Sequence, residues 1–335
     1  MKAGLLFFIR LLASLAVLFF VVFGTGCGGG SSSYGPNSPP AANNGNSGIN
    51  NSTSQTNNGG LTLIASGASS SVAALSQPRS IVVDPSGSYA YVANYGNGTV
   101  SEYQIGSNGV LSAIGYVQDG SSSEPASIAV AGSYVYVANY GTGAVSEYQI
   151  GSGGALSAIG SVSDGLSSEP VSIAATGSYV YVANYGAGAV SEYQIDAGGA
   201  LSAIGTLSVT KACSVTADLK ASYVYVANLD NSTVDDCAIN SDGSLTVNSN
   251  GSAGLAGVDS VMVNPIGSYA YMTDSDGSVY GYQIGANGAL TSIGSVSDGP
   301  GSAPRSVAVT PGKYLYVANS GNNTISEYQI SAQRP

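Results

Sequence analysis

Tyr91-Val-Ala-Asn94 closes the run Ser80-Ile-Val-Val-Asp-Pro-Ser-Gly-Ser-Tyr-Ala-Tyr-Val-Ala-Asn94, and variants of the same four residues begin again at Tyr136, Tyr181, Tyr225, Tyr271 and Tyr316. The steps between them are 45, 45, 44, 46 and 45 residues. A unit of this length built from several strand patterns cannot bury both faces of its sheet alone and must stack on copies of itself around an axis. Outward from the quoted run, Thr99-Val-Ser-Glu-Tyr-Gln-Ile105 and Val110-Leu-Ser-Ala-Ile-Gly-Tyr-Val117 complete the first unit. The four segments, A (Ser80–Asp84), B (Tyr89–Asn94), C (Thr99–Ile105) and D (Val110–Val117), are rich in Val, Ile and Tyr and are bounded by turn clusters such as Asp84-Pro-Ser-Gly87 and Gly96-Asn-Gly98. No part of the repeat region carries a helical period. The expectation is an all-β, six-bladed β-propeller of four-stranded antiparallel blades.

The ends of the repeat region complement one another. Leu61-Thr-Leu-Ile-Ala-Ser66 matches Leu290-Thr-Ser-Ile-Gly-Ser295, so the region opens with an orphan D strand, and it ends at Ile325-Ser-Glu-Tyr-Gln-Ile330, a C strand with no D strand after it. Pairing the first strand with the last blade would remove both open edges. The propeller is thus expected over residues 61–330, closed by an N-terminal strand that completes the last blade, with a short tail over 331–335.

Residues 1–27 form a separate unit. Met1-Lys2 and Arg10 supply positive charge, Leu11 to Phe23 form an apolar run, and Gly24-Thr-Gly-Cys27 supplies small residues. The run is short for a membrane span and reads as an export signal. Its ending resembles the lipobox of bacterial lipoproteins, which implies lipidation at Cys27; ordinary secretory cleavage is the other reading. By the same resemblance, Gly28 in place of Asp points to the outer membrane. Residues 28–60 are Gly, Ser, Asn and Pro with almost no aliphatics. They read as a disordered tether whose flexible-coil span is roughly 30 Å.

Composition narrows the partners. All five Phe lie in the leader, and the chain has no His and no Trp, so Tyr is the aromatic of the repeats. Without Lys2 and Arg10, six basic residues face nineteen acidic ones. Such a chain has no electrostatic footprint for nucleic acid or anionic lipid, and contact with the membrane is expected through the anchor only. The absence of His argues against a zinc site, and Asp274-Ser-Asp276-Gly277 lacks the full spacing of a calcium loop, so neither metal nor cofactor is expected. Cys213 and Cys237 form an even pair in an oxidising compartment. A disulfide between them is expected if the D-to-A connection leans over the sheet; the alternative is two buried thiols.

Tyr91-Val-Ala-Asn94 and the run before it resemble the Tyr-Val-Thr-Asn repeat of bacterial and archaeal surface propellers. The extended blade is also similar to the lactonase-like propeller family that includes 6-phosphogluconolactonase-type enzymes. The resemblance spans about residues 61 to 330, rests on strand and turn positions, and implies a propeller; the activity it implies is lactone hydrolysis. Many members of that family have seven blades, whereas six repeats are counted here.

The D-to-A connections read Gln77-Pro-Arg79, Glu124-Pro-Ala126, Glu169-Pro-Val171, Lys211-Ala-Cys213, Gly257-Val-Asp259 and Ala303-Pro-Arg305. Arg79, Lys211 and Arg305 thus gather in a small part of the chain, with Asp259, Glu124 and Glu169 in neighbouring connections. Adjacent guanidinium groups can clamp a carboxylate or phosphate. Equally, Arg79 and Arg305, expected side by side, could pair with Asp259 and Glu124 to seal the seam. The B-to-C turns, expected on the same face, add Tyr95, Tyr140 and Tyr185, suited to stacking on sugar or peptide. The functional expectation is a monomeric, lipid-anchored, non-catalytic module that binds a ligand or protein at the cell envelope. A structural or adhesive surface protein and a lactonase-like hydrolase are the alternatives.

Overall fold

The computed structural model describes residues 76–330 except 108, 251–254, 256, 300, 310–313 and 323. Every regular element is a strand. Blade 1 comprises β1 (Pro78–Val83), β2 (Tyr89–Asn94), β3 (Thr99–Ile105) and β4 (Leu111–Gln118). Blade 2 follows as β5 (Pro125–Ala131), β6 (Tyr134–Asn139), β7 (Ala144–Ile150) and β8 (Leu156–Ser163), and blade 3 as β9 (Pro170–Thr176), β10 (Tyr179–Asn184), β11 (Ala189–Ile195) and β12 (Leu201–Ser208). Blade 4 holds β13 (Ala212–Ala217), β14 (Tyr223–Asn228), β15 (Thr233–Ile239) and β16 (Leu245–Asn250), and blade 5 holds β17 (Val258–Val263), β18 (Tyr269–Asp274), β19 (Ser278–Ile284) and β20 (Leu290–Ser297). Blade 6 has β21 (Pro304–Val309), β22 (Tyr314–Asn319) and β23 (Thr324–Gln329). Each sheet is an antiparallel meander in sequence order, and the first strands of successive blades pack side by side. The chain is therefore a six-bladed β-propeller. The leader, the tether and the closing strand over 61–66 lie outside the described residues, as does the tail.

Alternation builds the core. In blade 1, Tyr91, Ala93 and Val100 point to blade 2 and meet Ile128, Val135, Val137, Tyr148 and Leu156. The same seam recurs between blades 2 and 3, 3 and 4, 4 and 5, and 5 and 6. The first three seams also carry three polar stitches each. The Tyr91 hydroxyl donates to the Gly154 carbonyl of the next blade's C-to-D hairpin at 2.9 Å. Glu102 accepts the Leu156 amide at 2.8 Å, and the Ser80 hydroxyl oxygen accepts the Ile128 amide at 3.3 Å. Tyr136, Glu147 and Ser127 repeat the set towards blade 3, and Tyr181, Glu192 and Ser172 towards blade 4. The recurring strand-C glutamates are thereby explained as structural. Gly154 is required as well as tolerated: its φ is +82°, and a Cβ there would lie 2.2 Å from the Tyr89 ring.

The expected disulfide is absent. Neither thiol is in a disulfide and both are fully buried, Cys213 in the seam between blades 4 and 5 and Cys237 in the seam between blades 3 and 4. The sheet of blade 4 stands between them, so no lean of the connection could bring them to bonding distance. The Cys213 thiol instead donates to the Val258 carbonyl at 3.3 Å.

Two faces of the propeller differ in what they carry. The A-to-B and C-to-D hairpins share one face, joined by the bond from the Ile105 amide to the Ser88 carbonyl. The B-to-C turns and D-to-A connections share the other, joined in blade 1 by the Tyr95 amide to the Gln77 carbonyl.

Candidate site at the channel mouth

Every blade opens with the same local distortion. The pairing of the first strand with the second slips between Pro78 and Ser80, leaving Arg79 as the extra residue of a β-bulge, and equivalent slips leave Ala126, Val171, Cys213, Asp259 and Arg305. Bulges re-aim a side chain relative to the pleat, and they concentrate next to functional sites. Two residues upstream, Gln77, Glu124, Glu169, Lys211 and Ala303 adopt φ between 43° and 50°, and Gly257 takes 128°. For a side-chain-bearing residue this left-handed conformation is strained by about 1–3 kcal/mol. It is held by the amide of the facing B-to-C residue: Tyr140 to the Glu124 carbonyl at 3.2 Å, Tyr185 to Glu169 at 3.1 Å, Leu229 to Lys211 at 3.1 Å. Five strained connections, a sixth relieved by Gly257, and six bulges thus lie at one end of the channel, and the singled-out residues sit on or beside them.

Over blades 1 to 3 the side chains form a linked arc. The Arg79 guanidinium lies 3.5 Å from the Tyr95 ring centroid, and the Tyr95 hydroxyl donates to Glu124 Oε2 at 2.8 Å. Burial, with that bond to Glu124, pushes the Tyr95 phenol up to about 12. Tyr140 stands 6.2 Å from Tyr95, ring centroid to centroid, and burial together with Glu169 and Glu124 raises its phenol too. Lys211 ends the arc, with Nζ 5.4 Å from the Tyr185 ring and 3.1 Å from the Asp230 carboxylate. The bond to Asp230 raises the Lys211 ammonium.

Blades 5 and 6 carry a different group. Asp259 is only 4% exposed. Burial pushes it up to about 6, opposed by the field of Arg305 and assisted by that of the buried Asp274. Arg305 Nε donates to the Ser320 hydroxyl at 3.3 Å. The interactions of the two arginines diverge, Arg79 towards Tyr95 and Arg305 towards Ser320 and Asp259. Among the described residues neither makes an ion pair within 4.0 Å. What sequence reasoning missed is the burial of Asp259: blade 5 also replaces the asparagine of the repeat by Asp274 and the strand-C glutamate by Gly281. That local breakdown of the repeat was the available signal.

The arrangement offers a buried carboxylate whose pKa burial raises to about 6, a guanidinium whose field reaches it, and a rim of aromatic and acidic groups. Among the described residues no cluster of three or more His, Cys, Asp or Glu is placed to hold a metal ion.

Several solved structures share the fold. A periplasmic gluconolactonase of Pseudomonas aeruginosa aligns with a TM-score of 0.64 at 20% identity, covering 75% of this chain and 80% of that one. A Bacteroides uniformis protein provisionally described as a 6-phosphogluconolactonase gives 0.65 at 19%, covering 75% and 80%. A hydrazine synthase of Kuenenia stuttgartiensis gives 0.59 at 17%, covering 75% and 83%, so this fold also occurs in a protein of unrelated chemistry. No curated protein matches the chain. The Lactonase family, described as a 7-bladed beta-propeller, matches residues 41–162 and 151–333, and the chain, with its six repeats, belongs to that family.

Proposed function

We propose that this protein hydrolyses a lactone of a sugar acid at the channel mouth, with Asp259 as general base. The observation that carries the reading is Asp259 itself, a carboxylate buried in the bulge that opens blade 5 and pushed up to about 6 by that burial, in the field of Arg305. A base is most effective when its pKa lies near the working pH. In the step, the Asp259 carboxylate takes a proton from water as the water oxygen bonds to the lactone carbonyl carbon. Arg305 faces the oxyanion that forms. Collapse breaks the ring carbon–oxygen bond, and the Asp259 carboxyl returns its proton to the leaving alkoxide. Arg79, backed by Tyr95, suits a carboxylate or phosphate on the substrate. The lactonase family and the gluconolactonase among its structural relatives support this substrate class.

The test is acid release from aldonolactones and their phosphates, measured against spontaneous opening between pH 5 and 8. Wild type should accelerate the reaction with an apparent pKa near 6, and Asp259→Asn should lower kcat by 100-fold or more, the usual worth of a positioned base of about 10²–10⁴. No acceleration over buffer by wild type would dispose of the hydrolase.

A second reading, a non-catalytic binding module, is favoured by the arc from Arg79 to Tyr185, whose groups already engage one another in pairs. A ligand that raises the melting temperature without being turned over would establish it. Under either reading we place the protein in the cell envelope, exported by its leader and anchored at Cys27.

A further inference from the structure

Blades 1 and 6 open on the same three residues, Pro78-Arg79-Ser80 and Pro304-Arg305-Ser306. Both runs form the same bulge. Pro78 faces Asn94 and Ser80 faces Ala93, while Pro304 faces Asn319 and Ser306 faces Ala318, so each arginine is the extra residue at one and the same place. Just upstream, Gln77 and Ala303 take the same left-handed turn, with φ of 49° and 43°. The carbonyl of each accepts the amide of the first residue of the B-to-C turn, Tyr95 at 3.2 Å and Ser320 at 3.1 Å.

The two guanidinium groups nevertheless go to different places. Arg79 sits over the Tyr95 ring, 3.5 Å from its centroid. Blade 6 has a serine in place of that tyrosine, and Arg305 Nε donates to the Ser320 hydroxyl oxygen at 3.3 Å. The Ser320 hydroxyl in turn donates to the Ala303 carbonyl at 3.0 Å. A hydroxyl has a single proton to give, so committing it to Ala303 leaves the lone pairs for Arg305. A guanidinium is a rigid planar fork, and holding Nε fixes its plane and leaves the Nη edge for another oxygen. Among the described residues that edge makes no ion pair within 4.0 Å. Ser275 fills the same turn position in blade 5, so neither blade that carries Asp259 or Arg305 has a ring there, whereas blades 1 to 3 carry Tyr95, Tyr140 and Tyr185. We infer that Ser320 is the positioning residue of Arg305: its hydroxyl, anchored on the Ala303 carbonyl, keeps the Nη edge for the oxyanion of the proposed reaction, where a tyrosine would draw the guanidinium onto its ring. The kinetic consequence rests on the hydrolase reading; the placement of the guanidinium does not.

The experiment compares Ser320→Ala, Ser320→Thr and Ser320→Tyr in the full chain. The position is exposed, and the last substitution imports the residue of blades 1 to 3. Ser320→Ala should lower kcat about 10-fold with KM unchanged, a fraction of the roughly 10²–10³ that loss of an oxyanion donor itself costs. Ser320→Thr, which keeps the hydroxyl, should restore the wild-type rate. Ser320→Tyr should lower kcat at least as far as Ser320→Ala. It should also move the apparent pKa of the reaction upwards, because the field of Arg305 opposes the rise that burial imposes on Asp259. A wild-type rate in Ser320→Ala, or a loss in Ser320→Thr as deep as in Ser320→Ala, would overturn positioning. Nuclear magnetic resonance gives a reading without turnover. The Arg305 side-chain signals, assigned by their loss in Arg305→Lys, should shift upfield in Ser320→Tyr through the ring current, as those of Arg79 should in wild type relative to Tyr95→Ser. Unmoved Arg305 signals would overturn the inference even in an active enzyme. The shift without any hydrolysis by wild type would support the placement and dispose of the reaction alone.

Discussion

Asp259 is held at a cost that pH should reveal. Folding raises its carboxyl from 3.8 to about 6, so between those values the folded chain binds more protons than the unfolded one, and stability falls as pH rises through that window. Above pH 6 the loss is complete, roughly 3 kcal/mol at 1.36 kcal/mol per unit. Asp259→Asn should therefore stabilise the protein at pH 7.5 by an amount of that order and hardly at all near pH 4. Urea unfolding of both proteins across that range would check it. The cysteines make a second prediction at this scale: burial pushes the Cys237 thiol up and Cys213 is fully buried, so neither should react with a thiol reagent before unfolding. Their placement was not legible beforehand. Cys213 is the extra residue of the blade-4 bulge, and a bulge breaks the simple alternation on which a face assignment from sequence relies.

At the scale of the element, strand B and the C-to-D hairpin of the next blade act as hook and eye. Gly199 holds φ +85°, and a Cβ on it would lie 2.2 Å from the Tyr134 ring. Gly199→Ala should cost about 2–4 kcal/mol, from overpacking and left-handed strain together, visible as a drop in urea midpoint with little change in slope. The strands themselves were legible. β2 and β3 fall where the sequence placed them, and β1 and β4 lie within two residues, because a Val, Ile and Tyr alternation bounded by Gly and Asn leaves little choice. The hook was hidden, since Tyr91 and Gly154 are 63 residues apart and local periodicity is blind to contacts between repeats.

For the whole molecule, blade 6 is the weak sector. Among the described residues nothing covers its face beyond Val317, with Ile325 61% exposed, whereas the matching Val100 of blade 1 is fully buried. Amide exchange should be fastest in Thr324–Gln329 and slowest in the inner strands of blades 2 and 3, in line with local burial. Repeat number was readable because each blade restates its sequence. The composition of the site was readable only in part, since Asp259, Arg305 and Glu124 differ from blade to blade and their isolation or pairing depends on neighbours across a seam.

The division of turns between the two faces gives the molecule a polarity. The strained connections and the tyrosine arc crown one face, while the C-to-D hairpins lie on the other. A bulky group attached at a C-to-D hairpin would therefore leave the mouth clear, and one attached at a B-to-C turn would cap it, so each end can be blocked without touching the other.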